Sequence, residues 1–125
     1  MKVTRIIMLS IALGGFMFIS ACQKDPGKGG KAHIHGHVEH DDDKIANAMV
    51  SIWYDTKTKP GDAADDATVS DAVGEFEFEG LRKGDYFVFA EATIVDSLGT
   101  EIKSGGVAVN IDKKSGEYDA DIHVD

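Results

Sequence analysis

Apolar and polar residues alternate with a period of two along most of the chain after residue 33. The alternation is clearest in five segments, at 33–38, 48–55, 75–79, 107–111 and 118–125. A sixth segment, 86–92, is almost entirely apolar. Strict alternation indicates β-strands with one face buried and one face in water, and a continuous apolar run indicates a strand covered on both faces.

Groups of turn-forming residues separate these segments, at 41–44, 59–61, 71–74, 82–84 and 113–116. No stretch has a convincing helical period. Six or seven short strands without helices predict an all-β fold, an antiparallel β-sandwich over residues 33–125. The predicted core takes apolar residues from four strands: Val50, Ile52, Phe76, Phe78, Tyr86, Val88, Val107 and Val109.

The amino terminus has a different pattern. Lys2 and Arg5 precede an uncharged apolar stretch at 6–19, which is shorter than the roughly 20 residues of a membrane-spanning helix and suits a secretory signal. Small residues and a cysteine then follow in the order Ile19-Ser20-Ala21-Cys22.

This order resembles the lipobox of bacterial lipoproteins. The resemblance implies that residues 1–21 are cleaved and that Cys22 receives a diacylglyceryl thioether and an amide-linked acyl chain. The alternative is an ordinary cleaved signal followed by an incidental cysteine. The lipobox is favoured because Cys22 is the chain's one cysteine and stands at the required position. Two or more acyl chains would then hold the protein to a membrane.

Residues 22–32 are rich in glycine and lysine and contain Pro26 but no large apolar residue, which predicts a flexible tether between the lipid and the domain at 33–125. Its opening, Gln23-Lys24-Asp25, is similar to the short charged signal of some lipoproteins at the outer membrane. The expected location is therefore the bacterial cell envelope, at the outer membrane.

The charge balance limits the partners. The chain has 13 Lys and Arg against 22 Asp and Glu, a formal charge of −9. Loss of residues 1–21 removes Lys2 and Arg5 and no acidic residue, which leaves a charge of −11. A protein this acidic repels nucleic acid and anionic lipid head groups. Nucleic acid is not expected as a partner.

Residues 34–92 carry a second resemblance. The motifs Gly36-x-Val38, Ile45-Ala46-Asn47-Ala48-x-Val50-x-Ile52 and Asp71-x-x-Gly74-x-Phe76-x-Phe78-x-Gly80-Leu81-x-x-Gly84-x-Tyr86 are similar to those of carboxypeptidase regulatory-like, or prealbumin-like, domains. The resemblance implies a seven-stranded Greek-key sandwich related in shape to transthyretin. Such domains are usually non-catalytic accessory or binding modules, so an envelope protein or a glycan is the expected partner besides the membrane.

Histidines offer an alternative function. His33, His35 and His37 share one face of one predicted strand, and neutral imidazole binds zinc, copper and nickel. At about 3.3 Å per residue, the outer two are roughly 13 Å apart, so one ion can take only a neighbouring pair. His123, on the acidic last strand, is the predicted further ligand. The competing interpretation is a solvent-facing polar face that binds no metal.

Two further clusters have simpler interpretations. The acidic runs 41–43 and 62–71 lack the ligand spacing of a calcium loop and indicate solvated loops. Trp53, Phe87 and Phe89 lie on the face opposite the predicted core. They form either an exposed binding patch or an aromatic cluster covered by segment 56–68 or 93–103, and the covered cluster is favoured.

Catalysis is not expected from this sequence. The mature chain has no cysteine besides Cys22, no Gly-x-Ser-x-Gly elbow and no phosphate-binding glycine loop after a strand. The sequence therefore predicts a lipid-anchored, non-enzymatic binding or accessory module of the cell envelope. The alternative is a zinc-, copper- or nickel-binding lipoprotein that uses the histidine face.

Overall fold

The computed structural model describes residues 26–125, so the predicted signal and Cys22 lie outside the described residues. Within that range every regular element is a β-strand, and no helix is long and apolar enough to cross a membrane. The strands are β1 Lys28–His40, β2 Asp43–Lys44, β3 Met49–Tyr54, β4 Asp66–Val69, β5 Glu75–Leu81, β6 Gly84–Asp96, β7 Gly99–Ile111, β8 Ser115–Asp119 and β9 Ile122–His123.

The first sheet is built around β1. This strand pairs antiparallel with β5 and with the short β2, and parallel with β8 and β9. The parallel pairs differ from the purely antiparallel arrangement that the sequence predicts. They form because the chain returns after β7 alongside β1. Close approach requires a glycine here, since a Cβ on Gly36 would lie 2.2 Å from the Ala120 carbonyl oxygen.

The second sheet has the order β4-β3-β6-β7, and all its pairs are antiparallel. Its two longest strands, β6 and β7, form a hairpin that pairs continuously from Gly84↔Ile111 to Asp96↔Gly99. The far part of this hairpin carries exposed apolar side chains, with Val95 75% and Leu98 95% exposed. A salt bridge of 3.0 Å between Lys28 and Asp66 connects β1 with β4 of this sheet.

The two sheets enclose one apolar core, which confirms the predicted all-β sandwich. Ile34, Phe76 and Phe78 contribute from the first sheet, and Val50 and Ile52 are among the contributors from the second. Every residue of the predicted core is buried except one, Val107, which is partly buried and packs against the cluster. The period-two pattern thus identifies the larger strands and their buried faces. It does not identify β2 or β4, because β2 lies in the segment 41–44 and β4 in the acidic run 62–71, where the sequence predicts a turn and a loop.

The predicted boundary between tether and domain needs a correction. Strand β1 begins at Lys28, so residues 28–32 belong to the sheet and not to a flexible tether. Lys28 and Ala32 pair with Leu81 of β5, and Lys31 pairs with Ser115 of β8. The segment is held by backbone pairing, which its glycine- and lysine-rich composition does not reveal.

The order extends to the residues just before β1. Gly27 is buried, and its N–H donates a hydrogen bond of 2.7 Å to the hydroxyl of Tyr86. That hydroxyl donates in turn to the carbonyl oxygen of Arg82 at 2.7 Å, and Arg82 N–H donates to the carbonyl oxygen of Gly27 at 2.8 Å. Burial raises the pKa of Tyr86, which keeps this hydroxyl protonated as a donor. Hydrogen bonds therefore hold Gly27, the residue before β1, against the turn between β5 and β6.

The core predicts a measurable cost of truncation. Phe78 is 4% exposed, and its ring lies 6.1 Å from that of Phe76. Phe78→Ala should lower the free energy of unfolding by about 3–5 kcal/mol, because it removes apolar contacts and leaves a cavity. Urea denaturation measures this loss, and Leu98→Ala on the exposed hairpin should change it by less than about 0.5 kcal/mol. Equal effects of the two substitutions would contradict the described core.

Candidate functional site

The outer face of the first sheet joins histidines with carboxylates. Three strands contribute to this surface, which we call the histidine–carboxylate face. It consists of His33, His35 and His37 on β1, Glu75, Glu77 and Glu79 on β5, and Glu117, Asp119 and Asp121 on or after β8. The strand registers place these residues side by side, with His35 opposite Glu77 on one side and Asp119 on the other. Histidines therefore form the central row between two acidic rows.

His35 and His37 each lie close to two carboxylates. The carboxylates near His35 both belong to β8, whereas those near His37 lie on either side of β1. The Nε2 atom of His35 lies 3.2 Å from Asp119 and 3.6 Å from Glu117. The ring of His37 reaches Glu75 with Nε2 at 3.3 Å and Asp121 with Nδ1 at 3.4 Å. Asp121 also accepts a hydrogen bond of 3.0 Å from the backbone N–H of His37. These rings are thus already engaged by neighbouring oxygens.

His40 and His123 lie further along the sheet. His123 is opposite Glu39 in the parallel pair of β1 and β9, and its Nε2 lies 3.8 Å from that carboxylate. A hydrogen bond from Lys44 lowers the pKa of Glu39, so the carboxylate stays ionised beside His123. His40 is partly buried, with Nδ1 2.8 Å from the carbonyl oxygen of Val124.

His33 has a different environment. Among residues 26–125 it is the one histidine with no carboxylate oxygen within 4.0 Å, and its buried Nδ1 has no hydrogen-bond partner. One ring nitrogen of His33 and one oxygen each of Glu77 and Glu79 nevertheless lie within 4.8 Å of one another. A nitrogen and two carboxylate oxygens converging without bonding each other are a suitable ligand set for a divalent cation.

A β-bulge lies next to this cluster. The pairing shifts by one residue between Ala32↔Leu81 and Ile34↔Phe78, so that Glu79 and Gly80 together oppose His33. Gly80 takes a positive φ of 68°, which suits the bulged position. Bulges change the direction of neighbouring side chains, and this one accompanies the approach of the two glutamates to His33.

Within residues 26–125, the structure does not group a neighbouring histidine pair of β1 with His123, which is the ligand set that the sequence predicts. His35 and His37 contact their own carboxylates, and His123 contacts Glu39 two residues further along β1 than His37. The structure instead groups His33 with Glu77 and Glu79, two glutamates outside the predicted ligand set. The only sequence signal for these glutamates is that they alternate with Phe76 and Phe78, and alternation does not specify the neighbouring strand.

A cleft of about 520 Å³ opens on the same face and extends around β5 toward β4. Its volume lies within the range of ligand sites in proteins. The lining is mostly polar and consists of His35, Gly36, His37, Thr68, Val69, Asp71, Glu75, Phe76, Glu77 and Glu117. Carboxylates and a hydroxyl accept hydrogen bonds there, while imidazole and the hydroxyl can donate them.

The aromatic cluster lies on the outer face of the second sheet and is covered. Trp53 is 7% exposed, and its indole N–H donates to the carbonyl oxygen of Asp62 at 3.0 Å. Lys59 Nζ lies 5.5 Å from the Trp53 ring centre and 5.2 Å from that of Phe89. The loop between β3 and β4 therefore covers this cluster, as the favoured interpretation of the sequence predicts. The cluster is not an open aromatic platform.

Comparisons with known proteins identify the fold. No protein-family model and no curated protein matches the sequence. The chain is similar to a Pseudomonas aeruginosa protein provisionally classed as carbohydrate-binding, with a TM-score of 0.53, 14% identity, and coverage of 76% of this chain and 90% of that one. At this identity the likeness shows the fold alone.

A 9R-lipoxygenase from Cyanothece matches at a TM-score of 0.36 with 15% identity. The match covers 98% of this chain but 22% of the enzyme, and a likeness this distant carries no argument about function.

Proposed function

We propose that this protein is a lipid-anchored, non-catalytic binding module of the bacterial cell envelope, held at the outer membrane, with a prealbumin-like sandwich as its scaffold. The observation that carries the binding role is the polar cleft on the histidine–carboxylate face. The lipobox-like sequence ending in Cys22 supports the anchor. The motif resemblance in residues 34–92 supports the scaffold and a role without catalysis.

The chemistry of the cleft favours a ligand rich in hydroxyl groups. His35 and His37 alternate with carboxylates across its floor, and Thr68 adds a hydroxyl at its rim. Such a surface can donate and accept several hydrogen bonds, which suits a glycan better than an apolar molecule. The carbohydrate-binding role given to the Pseudomonas aeruginosa protein agrees with this choice.

A second candidate function is capture of a transition-metal ion such as zinc or copper. The specific observation is the convergence of His33, Glu77 and Glu79 within 4.8 Å. Zinc bonds to imidazole nitrogen and carboxylate oxygen are about 2.0–2.2 Å long. The two glutamates are exposed, so their side chains can rotate to close the cluster around an ion. Nickel is the remaining metal that suits these ligands.

The proposed glycan role predicts binding through the cleft. An array of bacterial polysaccharide fragments should show specific binding, and Glu75→Gln should weaken calorimetric binding of a positive fragment about tenfold or more, because hydrogen bonds to a charged group are strong. Glu91→Gln is the matched control, since Glu91 is exposed on the other sheet. The glycan proposal would be contradicted if the array gave no signal and crosslinking in envelopes captured a protein. The ligand would then be a protein.

The proposed anchor predicts a change in fractionation. Cys22→Ser should leave the precursor without acyl chains and release it from membranes after carbonate washing, because no lipid then holds it. Metabolic labelling with a palmitate analogue and immunoblotting of the fractions measure both effects. Ser20→Thr, which keeps the cysteine, is the control. A labelled or membrane-retained Cys22→Ser protein would rule out this anchor.

The metal candidate predicts a specific set of losses. Zinc or copper binding by calorimetry at pH 7.5 should disappear in His33→Ala and in Glu77→Gln, and should persist in His123→Ala. Binding should also weaken at pH 5.5, because protonated imidazole, with a reference pKa of about 6.5, cannot be a ligand. Loss in His123→Ala with retention in His33→Ala would show that the histidines predicted from sequence, and not this cluster, hold the ion.

A further inference from the structure

Two neighbouring turns at one end of the sandwich concentrate positive charge. The turn between β5 and β6 carries Arg82 and Lys83, and the turn between β7 and β8 carries Lys113 and Lys114. The register Gly84↔Ile111 places these turns next to each other. Asp112 confirms the proximity: a hydrogen bond from Tyr118 is the main cause of its lowered pKa, and Lys113 and Lys83 both contribute. We call this surface the basic end.

Few carboxylates oppose these cations. Asp112 lies within the second turn. Asp85 follows the first turn and accepts a hydrogen bond of 2.9 Å from Asn110. Exposed Asp55 lies beside Asp85, because its N–H donates to the Asp85 carbonyl oxygen at 2.8 Å, so three carboxylates face the four cations of the two turns. Lys28, at the same end, is paired with Asp66 and adds little free charge. Arg82, Lys83, Lys113 and Lys114 are all exposed. The basic end is therefore locally positive on a chain whose total charge is strongly negative.

The same end receives the chain from the predicted lipid. Gly27 accepts a hydrogen bond from Arg82 N–H at 2.8 Å. Pro26 lies against Gly84, where a Cβ would come within 2.3 Å of the proline ring. Four peptide units join Cys22 to Pro26, and a fully extended chain covers about 3.6 Å per unit, or at most about 14 Å. A lipid on Cys22 therefore keeps the basic end within a short distance of the membrane surface.

The opposite end of the sandwich is acidic. Asp41 and Asp42 form the turn between β1 and β2, and Asp43 follows it. Asp125 lies at the same end, where its N–H donates to the carbonyl oxygen of Ser104. The lysines of this region, Lys44 and Lys103, are each paired with a glutamate. Ser104 pairs with Glu91, which lies seven residues along β6 from Gly84 at the basic end, or about 23 Å at 3.3 Å per residue. Because the Debye length is about 10 Å at 0.1 M salt, a surface at one end does not sense the charges at the other.

We infer that the basic end rests on anionic phospholipid head groups and orients the sandwich with its acidic end away from the membrane. The placement of this end near the surface rests on the proposed lipid anchor, whereas the attraction between the turns and the head groups does not. Each basic residue close to an anionic surface strengthens binding about fivefold. The acyl chains supply attachment, and the turns fix which end of the domain faces the lipid.

Vesicle binding without the lipid tests the attraction. The full mature chain carrying Cys22→Ser is mixed with phosphatidylcholine vesicles, with or without phosphatidylglycerol, in about 0.1 M sodium chloride. It should sediment with the anionic vesicles only. Lys83→Gln with Lys114→Gln should weaken this partition about 30-fold, while the matched pair Lys44→Gln with Lys103→Gln should change it less than about twofold. Both pairs alter the total charge equally.

Three results would overturn the inference: no binding to anionic vesicles, equal losses in the two double variants, or loss of binding when inorganic phosphate replaces chloride at equal ionic strength. The third result would make the turns a site for free phosphate.

Lysine acetylation of the acylated wild-type protein in anionic vesicles measures the orientation. Lys83, Lys113 and Lys114 should be protected from acetylation relative to Lys44 and Lys103. Uniform acetylation would contradict the orientation. A failed anchor appears separately, as a wild-type protein that carries no acyl label.

Discussion

Strand β1 pairs with all four other strands of its sheet, and its register determines both the core and the outer face. Ile34 and Val38 point inward and are fully buried, while the three histidines between and beside them point outward. A shift of one residue would place imidazoles in the core and leave these apolar side chains in water. Burial of the apolar set therefore holds the histidines in a single row on the surface, and the two flanking strands, which obey the same constraint, supply the acidic rows.

This constraint explains which features the sequence could predict. Alternation identifies strand residues and separates inward from outward positions, so the core around Phe76, Phe78 and Tyr86 and the shared face of the histidines are predictable. Alternation does not specify which strands become neighbours. The pairing of β1 with β5 and β8 creates the contacts between histidines and carboxylates, and the bulge at Gly80 that accompanies the approach of Glu79 to His33 leaves no periodic signal. The start of β1 at Lys28 has no periodic signal either, because its backbone, and not its side chains, makes the pairing.

The distribution of charge is the other property that a sequence total conceals. The formal charge of −9 for the whole sequence predicts repulsion from every anionic surface. The fold separates the charges along the strands, because adjacent turns at one end bring together basic residues that are about 30 positions apart in the chain, at 82–83 and 113–114. Over distances longer than a Debye length, each end then interacts according to its own charge. The net charge still disfavours nucleic acid, which would contact a larger part of the surface than one end.

Glu77 connects the two candidate functions of the histidine–carboxylate face, since it lines the cleft and also belongs to the cluster with His33 and Glu79. A divalent cation held by this glutamate would remove negative charge from the cleft floor and occupy one of its hydrogen-bond acceptors. Metal binding and ligand binding are therefore thermodynamically coupled if both occur, and the coupling is reciprocal. Its sign depends on the ligand: a cation would be disfavoured by the bound metal, whereas a hydroxyl-rich ligand can gain a direct bond to it. Measurements of glycan affinity with a chelator and with saturating zinc would consequently distinguish two independent sites from one shared site.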